Sequence, residues 1–328
     1  NDPNKFHGVG QFNPVNGQSK DIAKSLTYTQ VFSTWLMKAT KKNVHLCAIT
    51  PAMSDGSGLN EFAKKYPARY YDVGIAEQHA LTFAAGLALS GIKPVIAIYS
   101  TFLQRAYDQL IHDIAIQNIP MLFAIDRAGL VGADGATHSG NFDISFMRCI
   151  PNLILMAPSN ESECFEMLSF GYEYNGICAV RYPRGQSPNN RIHQLKEPIR
   201  LGCANKVRTG KKVAILAFGP IIETCREVAD EIDASLIDMR FIKPIDKKMI
   251  KKISKDHELL VSVEENAVNG GAGSAVLEVI SESNIACKTL VIGIPDKFFE
   301  HASQQEVLKA CGLDKQSIVR KIVKQLNG

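Results

Sequence analysis

Four segments of this chain hold residue types at spacings that can do chemistry. The first is Asp72-Val73-Gly74-Ile75-Ala76-Glu77-Gln78-His79-Ala80. It sets a carboxylate at the start of a helix, just after a strand, and Ala80, Ala84, Ala85, Gly86 and Ala88 follow it. A glutamate in apolar surroundings has a raised pKa and can hold or share a proton near neutral pH. Small side chains beside it let another element approach closely. The plainer alternative for Glu77 is a first-turn glutamate that complements the helix dipole, worth under about 1 kcal/mol.

The second segment runs from Tyr99 to Gln109 and includes Phe102, Arg105 and Tyr107. It lies where the C-terminal end of a strand meets a helix, the edge of a parallel sheet at which ligands bind. A flat ring there can stack on a heteroaromatic group, or Phe102 can simply be core. The third segment, Asp126 to Gly140, has four glycines, two aspartates, Arg127 and His138, and no apolar period. A loop of this length in a compact domain is usually functional or disordered. Its glycines suit close backbone approach to a ligand. His138 can exchange protons near pH 7, and Arg127 can grip a phosphate or carboxylate with two N–H groups. The alternative is that Asp134 and His138 only hydrogen-bond the loop to itself. In the fourth, Val180-Arg181-Tyr182-Pro183-Arg184-Gly185, Pro183 biases Tyr182 to an extended backbone and can aim Arg184 off the sheet edge. A solvated linker arginine is the bland reading.

The elements that must position these groups alternate. Apolar runs predict buried strands at 44–49, 93–98, 121–125, 153–157 and 178–181, with helices at 27–40, 74–90, 102–117 and 162–172 between them. Thr27 or Thr29 can cap the first helix. A break at Pro183–Asn190 is the best boundary. The rhythm then restarts, with strands at 213–218, 235–238, 259–264 and 288–294 and helices at 222–231, 247–254, 273–283 and 315–326. The reading is an α/β chain of two domains, each a mostly parallel sheet flanked by helices. The boundaries are a linker at 1–24, a first domain at 25–186, a linker at 187–198 and a second domain at 199–328. Asn269-Gly270-Gly271-Ala272-Gly273 can bind an anion at a helix N-terminus, and the lysines from Lys243 to Lys252 read as a solvated face. Neither Glu264 nor His301 has a local case for a role.

Bulk composition excludes several classes. The 328 residues carry a net charge of only +4, too little for nucleic acid without a clustered basic face. No apolar run approaches the roughly 20 residues that span a bilayer, and no signal peptide is evident. The eight cysteines form no Cys-x-x-Cys pair and read as reduced residues, mostly core. Ala133-Asp134-Gly135 with downstream Asn160 imitates a Gly-Asp-Gly metal motif but lacks its first glycine, so no metal site is assigned. The opening Asn1-Asp2-Pro3 has no methionine and is read as a fragment or processed product.

Taken in order, the four segments resemble the pyrimidine-binding domain of the 1-deoxy-D-xylulose-5-phosphate synthase family, within the transketolase superfamily of thiamine-diphosphate enzymes. The likeness runs from about Thr27 to Gly185, and residues 195–328 resemble the C-terminal domain of that superfamily. Lys5-Phe6-His7-Gly8-Val9 matches the linker ahead of the pyrimidine domain. The resemblance implies that Glu77 bonds the aminopyrimidine nitrogen N1′ and Phe102 stacks on that ring. Ile75 and Met53 then pack against the cofactor. Tyr99, Arg127 and Arg184, with Arg105 close by, receive the phosphate of glyceraldehyde 3-phosphate. Asp134 and His138 serve proton transfer near the reacting carbonyl, and His7 lies at the site's edge. The implied reaction joins pyruvate and glyceraldehyde 3-phosphate, releasing carbon dioxide and 1-deoxy-D-xylulose 5-phosphate for isoprenoid, thiamine and pyridoxal synthesis. Thiamine diphosphate and Mg²⁺ are the implied cofactors, bound mainly by an N-terminal domain absent from this chain. A homodimer in the bacterial cytoplasm, or the plastid stroma of a eukaryote, is the implied setting. Two other readings stay open. One is a β-type subunit of a two-chain 2-oxo-acid dehydrogenase or a split transketolase; the other is a non-catalytic fragment for dimerisation or partner binding.

Overall fold

The structure, a computed structural model, describes residues 12–17 and 26–328. His7 and most of the leading segment lie outside the described residues. Among those described, the chain folds into a 7-stranded and a 5-stranded sheet.

The first sheet is built from β1 (Leu46–Thr50), β2 (Tyr70–Asp72), β3 (Lys93–Tyr99), β4 (Met121–Asp126), β5 (Leu153–Met156) and β6 (Ile177–Arg181). These six are parallel in the order β5-β6-β4-β3-β1-β2. Away from the edge strand β2, they are buried and read as continuous apolar runs such as Met121–Asp126, in which every residue is buried. One face is covered by α1 (Tyr28–Lys42) and α7 (Glu161–Glu173), over a core that includes Phe32, Trp35 and Tyr182. Thr27 caps α1 in a reciprocal capping box with Gln30. Thr29 instead donates to Asp126 Oδ2 at 2.8 Å.

Five shorter or central helices lie in this half: α2 (Asn60–Lys65), α3 (Glu77–Leu89), α4 (Ser100–Leu103), α5 (Tyr107–Gln109) and α6 (Asp143–Met147). The single helix expected over 102–117 is in fact broken. A 3-10 turn, Gln104–Ala106, separates α4 from α5, and a π-helical stretch, Leu110–Ala115, follows. Such breaks concentrate at functional sites.

The second sheet pairs β8 (Val213–Phe218), β9 (Ser235–Asp238), β11 (Leu259–Ala267) and β12 (Lys288–Ile294) in parallel, with β7 (Asn205–Arg208) antiparallel at one edge. The lysines of the helix Lys247–Asp256 face solvent, with Ile250 and Ile253 turned inward. A three-residue strand, β10 (Phe241–Lys243), belongs by sequence to the second half but pairs antiparallel with β5 of the first sheet. Sequence pattern missed it, since three residues are too short to show a period. A single apolar core runs from Ile98, Leu103 and Ile144 through to Phe218, Ile237 and Val276, joining the two sheets. No helix among the described residues is long and apolar enough to cross a membrane.

Candidate functional site at the carboxyl edge of the first sheet

Because β1, β2, β3, β4 and β6 run in one direction, the segments leaving their C-terminal ends emerge along a common edge. Met53 follows β1, Ile75 and Glu77 follow β2, and Tyr99, Phe102 and Arg105 mark the end of β3 and its turn. Arg127, Asp134 and His138 follow β4, and Arg184 follows β6. All of the candidate residues other than His7 are thus gathered on the edge where parallel sheets bind ligands.

The turn into α3 is built by Asp72. Its Oδ1 accepts from the amides of Ala52 (2.9 Å) and Gly74 (3.0 Å), and Gly74 takes φ +69°. A glycine suits that left-handed backbone. The turn delivers Glu77 as the first residue of α3, on the same stripe as Ala80, Leu81, Ala84 and Ala85. That 3.6-residue spacing faces the core, so Glu77 is only 5% exposed. Its Oε2 is buried with no hydrogen-bond partner. A buried polar oxygen without a partner is costly, and in native proteins it calls for a ligand, a water or an ion. Two residues earlier Ile75 is 85% exposed, an apolar side chain facing outward on the same edge. Met53 is partly buried.

Phe102 stacks on Tyr99 with ring centroids 5.2 Å apart and 12° between planes. The Phe102 and His138 rings meet in a T-shaped contact, with centroids 5.6 Å apart and 70° between planes. Behind them the Arg127 guanidinium lies 4.1 Å over the Tyr99 ring. Arg127 is held by Asp126 Oδ2 at 2.9 Å and by the Gly56 carbonyl at 2.6 Å, and its backbone takes φ +58°. A Cβ at Gly56 would overlap the Tyr99 hydroxyl, which explains the glycine there. Burial pushes the Tyr99 phenol up to about 12, against the pull of Arg127, so it stays protonated as a donor. Burial likewise raises the Asp126 carboxyl, with Arg127 and Thr29 opposing the rise.

Asp134 ends a 3-10 turn, Gly132–Asp134, and pairs with the exposed Arg184. His138 Nδ1 lies 3.0 Å from the Thr137 hydroxyl. Arg105 is exposed on the turn Gln104–Ala106. Asn160 serves as the cap of α7, accepting from the amides of Ser162 and Glu163 at 3.0 Å each. The described residues contain no group of three or more His, Cys, Asp or Glu placed to hold a metal ion. Sequence reasoning did not find Asp126, Gly56 or Asp72 as supports of the site. Of these only Asp72, two residues before a glycine, leaves a local trace.

A buried carboxylate and stacked rings thus share the carboxyl edge of one sheet, which is joined through a common core to a second, smaller sheet. The chain belongs to the transketolase family. Residues 24–189 match the transketolase pyrimidine binding domain and residues 202–318 match the transketolase C-terminal domain. Within that family the chain is 55% identical over 324 residues to 1-deoxy-D-xylulose-5-phosphate synthase of Methylobacillus flagellatus, covering 99% of this chain and 53% of that protein. It is 52% identical to the enzyme of the same name from Nitrosomonas europaea, covering 98% and 52%. The chain therefore spans about half the length of the curated relatives it matches. Among solved structures, a chain described as split gene transketolase, inactive beta4 tetramer, superposes with TM-score 0.80 at 25% identity, covering 93% of this chain and 99% of that one. The transketolase of Campylobacter jejuni shares the fold at TM-score 0.75 and 18% identity, covering 92% of this chain and 47% of that one.

Proposed function

We propose that this chain is the pyrimidine-binding and C-terminal part of a 1-deoxy-D-xylulose-5-phosphate synthase, joining pyruvate to glyceraldehyde 3-phosphate with release of carbon dioxide. In this reading residues 25–186 and 199–328 are the two domains. The diphosphate and Mg²⁺ are gripped by residues beyond this chain, and the working unit is a homodimer in the bacterial cytoplasm. Identity of 55% and 52% to enzymes of that name over nearly the whole chain supports it. One observation carries it: the unpartnered Glu77 Oε2, buried at the edge that also holds Phe102.

These residues fit the pyrimidine end of thiamine diphosphate. Glu77 offers an acid or a carboxylate to a ring nitrogen, Phe102 offers a flat face, and Ile75 and Met53 offer apolar surface. When bound, the cofactor supplies a nucleophilic carbon that takes the two-carbon unit of pyruvate. The protein's own part is position and charge. Glu77 shares a proton with the ring nitrogen and keeps water from it. Tyr99, Arg105, Arg127 and Arg184 surround the phosphate of the acceptor. Asp134 and His138 move protons at the carbonyl of the incoming aldehyde, with His138 in T-shaped contact with Phe102.

Glu77→Ala in the assembled enzyme tests this. Turnover is expected to vanish while circular dichroism and thermal midpoint stay near wild type, because alanine suits a helix. Near-normal turnover would overturn the assignment.

A second reading, half of a split transketolase, is favoured by the 99% coverage of the split-gene chain. The reading frame upstream of Asn1 separates the two. A single polypeptide that includes the diphosphate-binding domain excludes a split enzyme.

A further inference from the structure

The loop that carries Asp134 and His138 leaves the first sheet but is anchored by the second half of the chain. Leu130 is fully buried, and its side chain joins the core of Ile294, Val307 and Cys311 rather than either core of the first sheet. Its carbonyl accepts a 2.9 Å hydrogen bond from Gln304 Nε2. Two residues on, the Gly132 carbonyl accepts from the Ala302 amide at 3.3 Å. Three of the loop's glycines lie against the second half of the chain, two of them against this seat. At Gly132, φ +63°, a Cβ would lie 2.9 Å from the Gln304 nitrogen. At Gly135, φ +72°, it would lie 3.3 Å from His301 Cβ, and at Gly129, φ +80°, 2.9 Å from Glu265 Cβ. The base of the loop is latched separately: Gly129 and Gly140 exchange backbone hydrogen bonds of 2.9 and 2.8 Å. Asp134 and His138 therefore stand between that latch and a second-domain seat formed by His301, Ala302 and Gln304.

Gln304 is the polar part of that seat able to act specifically. It is the first residue of the helix Gln304–Cys311, whose N-terminus is already capped by Ser303 and Glu306, so its amide is spare. Its half-buried side chain donates to the carbonyl of the fully buried Leu130.

We infer that Gln304 is a positioning residue: by holding Leu130, and with it the turn Gly132–Asp134, it sets where Asp134 and His138 stand relative to Phe102 and Arg184. It touches no reacting atom. The seat itself rests on contacts within this chain, while its catalytic consequence rests on the function proposed above.

The test is Gln304→Glu, which keeps the shape and removes the donor, against Gln305→Glu, which adds the same charge at an exposed neighbour. Hydrogen exchange on the full chain is expected to quicken about five- to tenfold at the amides of residues 130–138 in Gln304→Glu, the loss of one such bond, and not in Gln305→Glu. In the assembled enzyme kcat is expected to fall by about tenfold or more while both KM values hold within about twofold, the pattern of misplaced groups rather than lost binding. Should the glutamate variant not fold, Gln304→Met removes the donor without charge. Exchange equal to that of Gln305→Glu overturns the inference. So does unchanged kcat in a variant whose loop has loosened. If the wild-type enzyme makes no 1-deoxy-D-xylulose 5-phosphate, the functional proposal falls and loop exchange alone decides the seat.

Discussion

Arg184 and Arg127 look interchangeable as phosphate ligands in sequence, and their surroundings separate them. Arg184 is 41% exposed and its partner Asp134 32% exposed. An ion pair so open to solvent contributes only about 0–1 kcal/mol, so Arg184 can leave Asp134 for a phosphate at little cost. Arg127 is committed to Asp126 and Gly56 and stacked on Tyr99. Removing it would strand the buried Asp126 carboxyl, a loss of about 3–5 kcal/mol that confuses binding with stability. The informative variant is Arg184→Ala. It is expected to raise KM for glyceraldehyde 3-phosphate by about 10- to 100-fold, the worth of one charged hydrogen-bonded contact. The KM for pyruvate is expected to move by less than about threefold in steady-state assays; an equal effect on both substrates removes Arg184 from the phosphate site. Local pattern made both arginines candidates because residue type alone predicts a phosphate grip. What distinguishes them is a contact to Gly56 across 71 positions, which no local spacing encodes. The small and apolar residues after Glu77, including Ala80, Ala84 and Ala85, made its burial an expectation, but residue position alone equally suited a first-turn glutamate on the helix dipole, and the missing partner of Oε2 left no local trace.

At the scale of elements, the glycine turn Asn269–Gly273 shows how a correct physical expectation can meet the wrong partner. The helix Ala272–Glu282 does bind an anion at its N-terminus, and the anion is Glu264 of this chain. Glu264 Oε2 accepts from Ala272 N and Oε1 from Gly273 N, each at 2.7 Å. The strand β11 runs on to Ala267 and the glycine run turns the chain back, which places the carboxylate under the helix; the glycines signal the turn but not the side chain it meets. Burial pushes Glu264 up to about 7, with the Gly273 and Ala272 amides holding it back. Since its ordinary value is 4.5, the folded chain binds more protons than the unfolded one between 4.5 and about 7. Stability from this group is therefore greatest below that window and falls as pH rises through it, by an amount on the order of 3 kcal/mol. Thermal midpoints by circular dichroism are expected to drop between pH 5 and pH 8 in the wild type. In Glu264→Gln, which cannot ionise, the drop is expected to shrink. A pH slope unchanged by the substitution would show that the titrating group lies elsewhere, for instance at Glu265 or Asp126, whose carboxyls burial also raises.

For the whole molecule, alternating strands and helices announce two α/β units, and one family model matches residues 24–189 and another residues 202–318. The structure joins them more tightly than that division suggests. One core passes from Leu81, Ile98 and Ile144 to Leu216, Met239 and Val276 without a break. The strand β10 closes the β5 edge of the first sheet, pairing Phe241 with Met156. Beside it Arg240 Nε donates to the buried Glu163 at 2.6 Å. Cutting the chain in the connecting stretch would uncover an apolar face, open a sheet edge and leave Glu163 without its cation. Each of these costs several kcal/mol, against a total stability of about 5–15 kcal/mol for an ordinary domain. The full chain is therefore expected to unfold in one cooperative calorimetric transition. Residues 26–198 alone are expected to aggregate or to bind a hydrophobic dye as a partly ordered chain. Two resolved transitions, or a soluble fragment 26–198 with a sharp melt of its own, would mean that the shared core does not couple the halves.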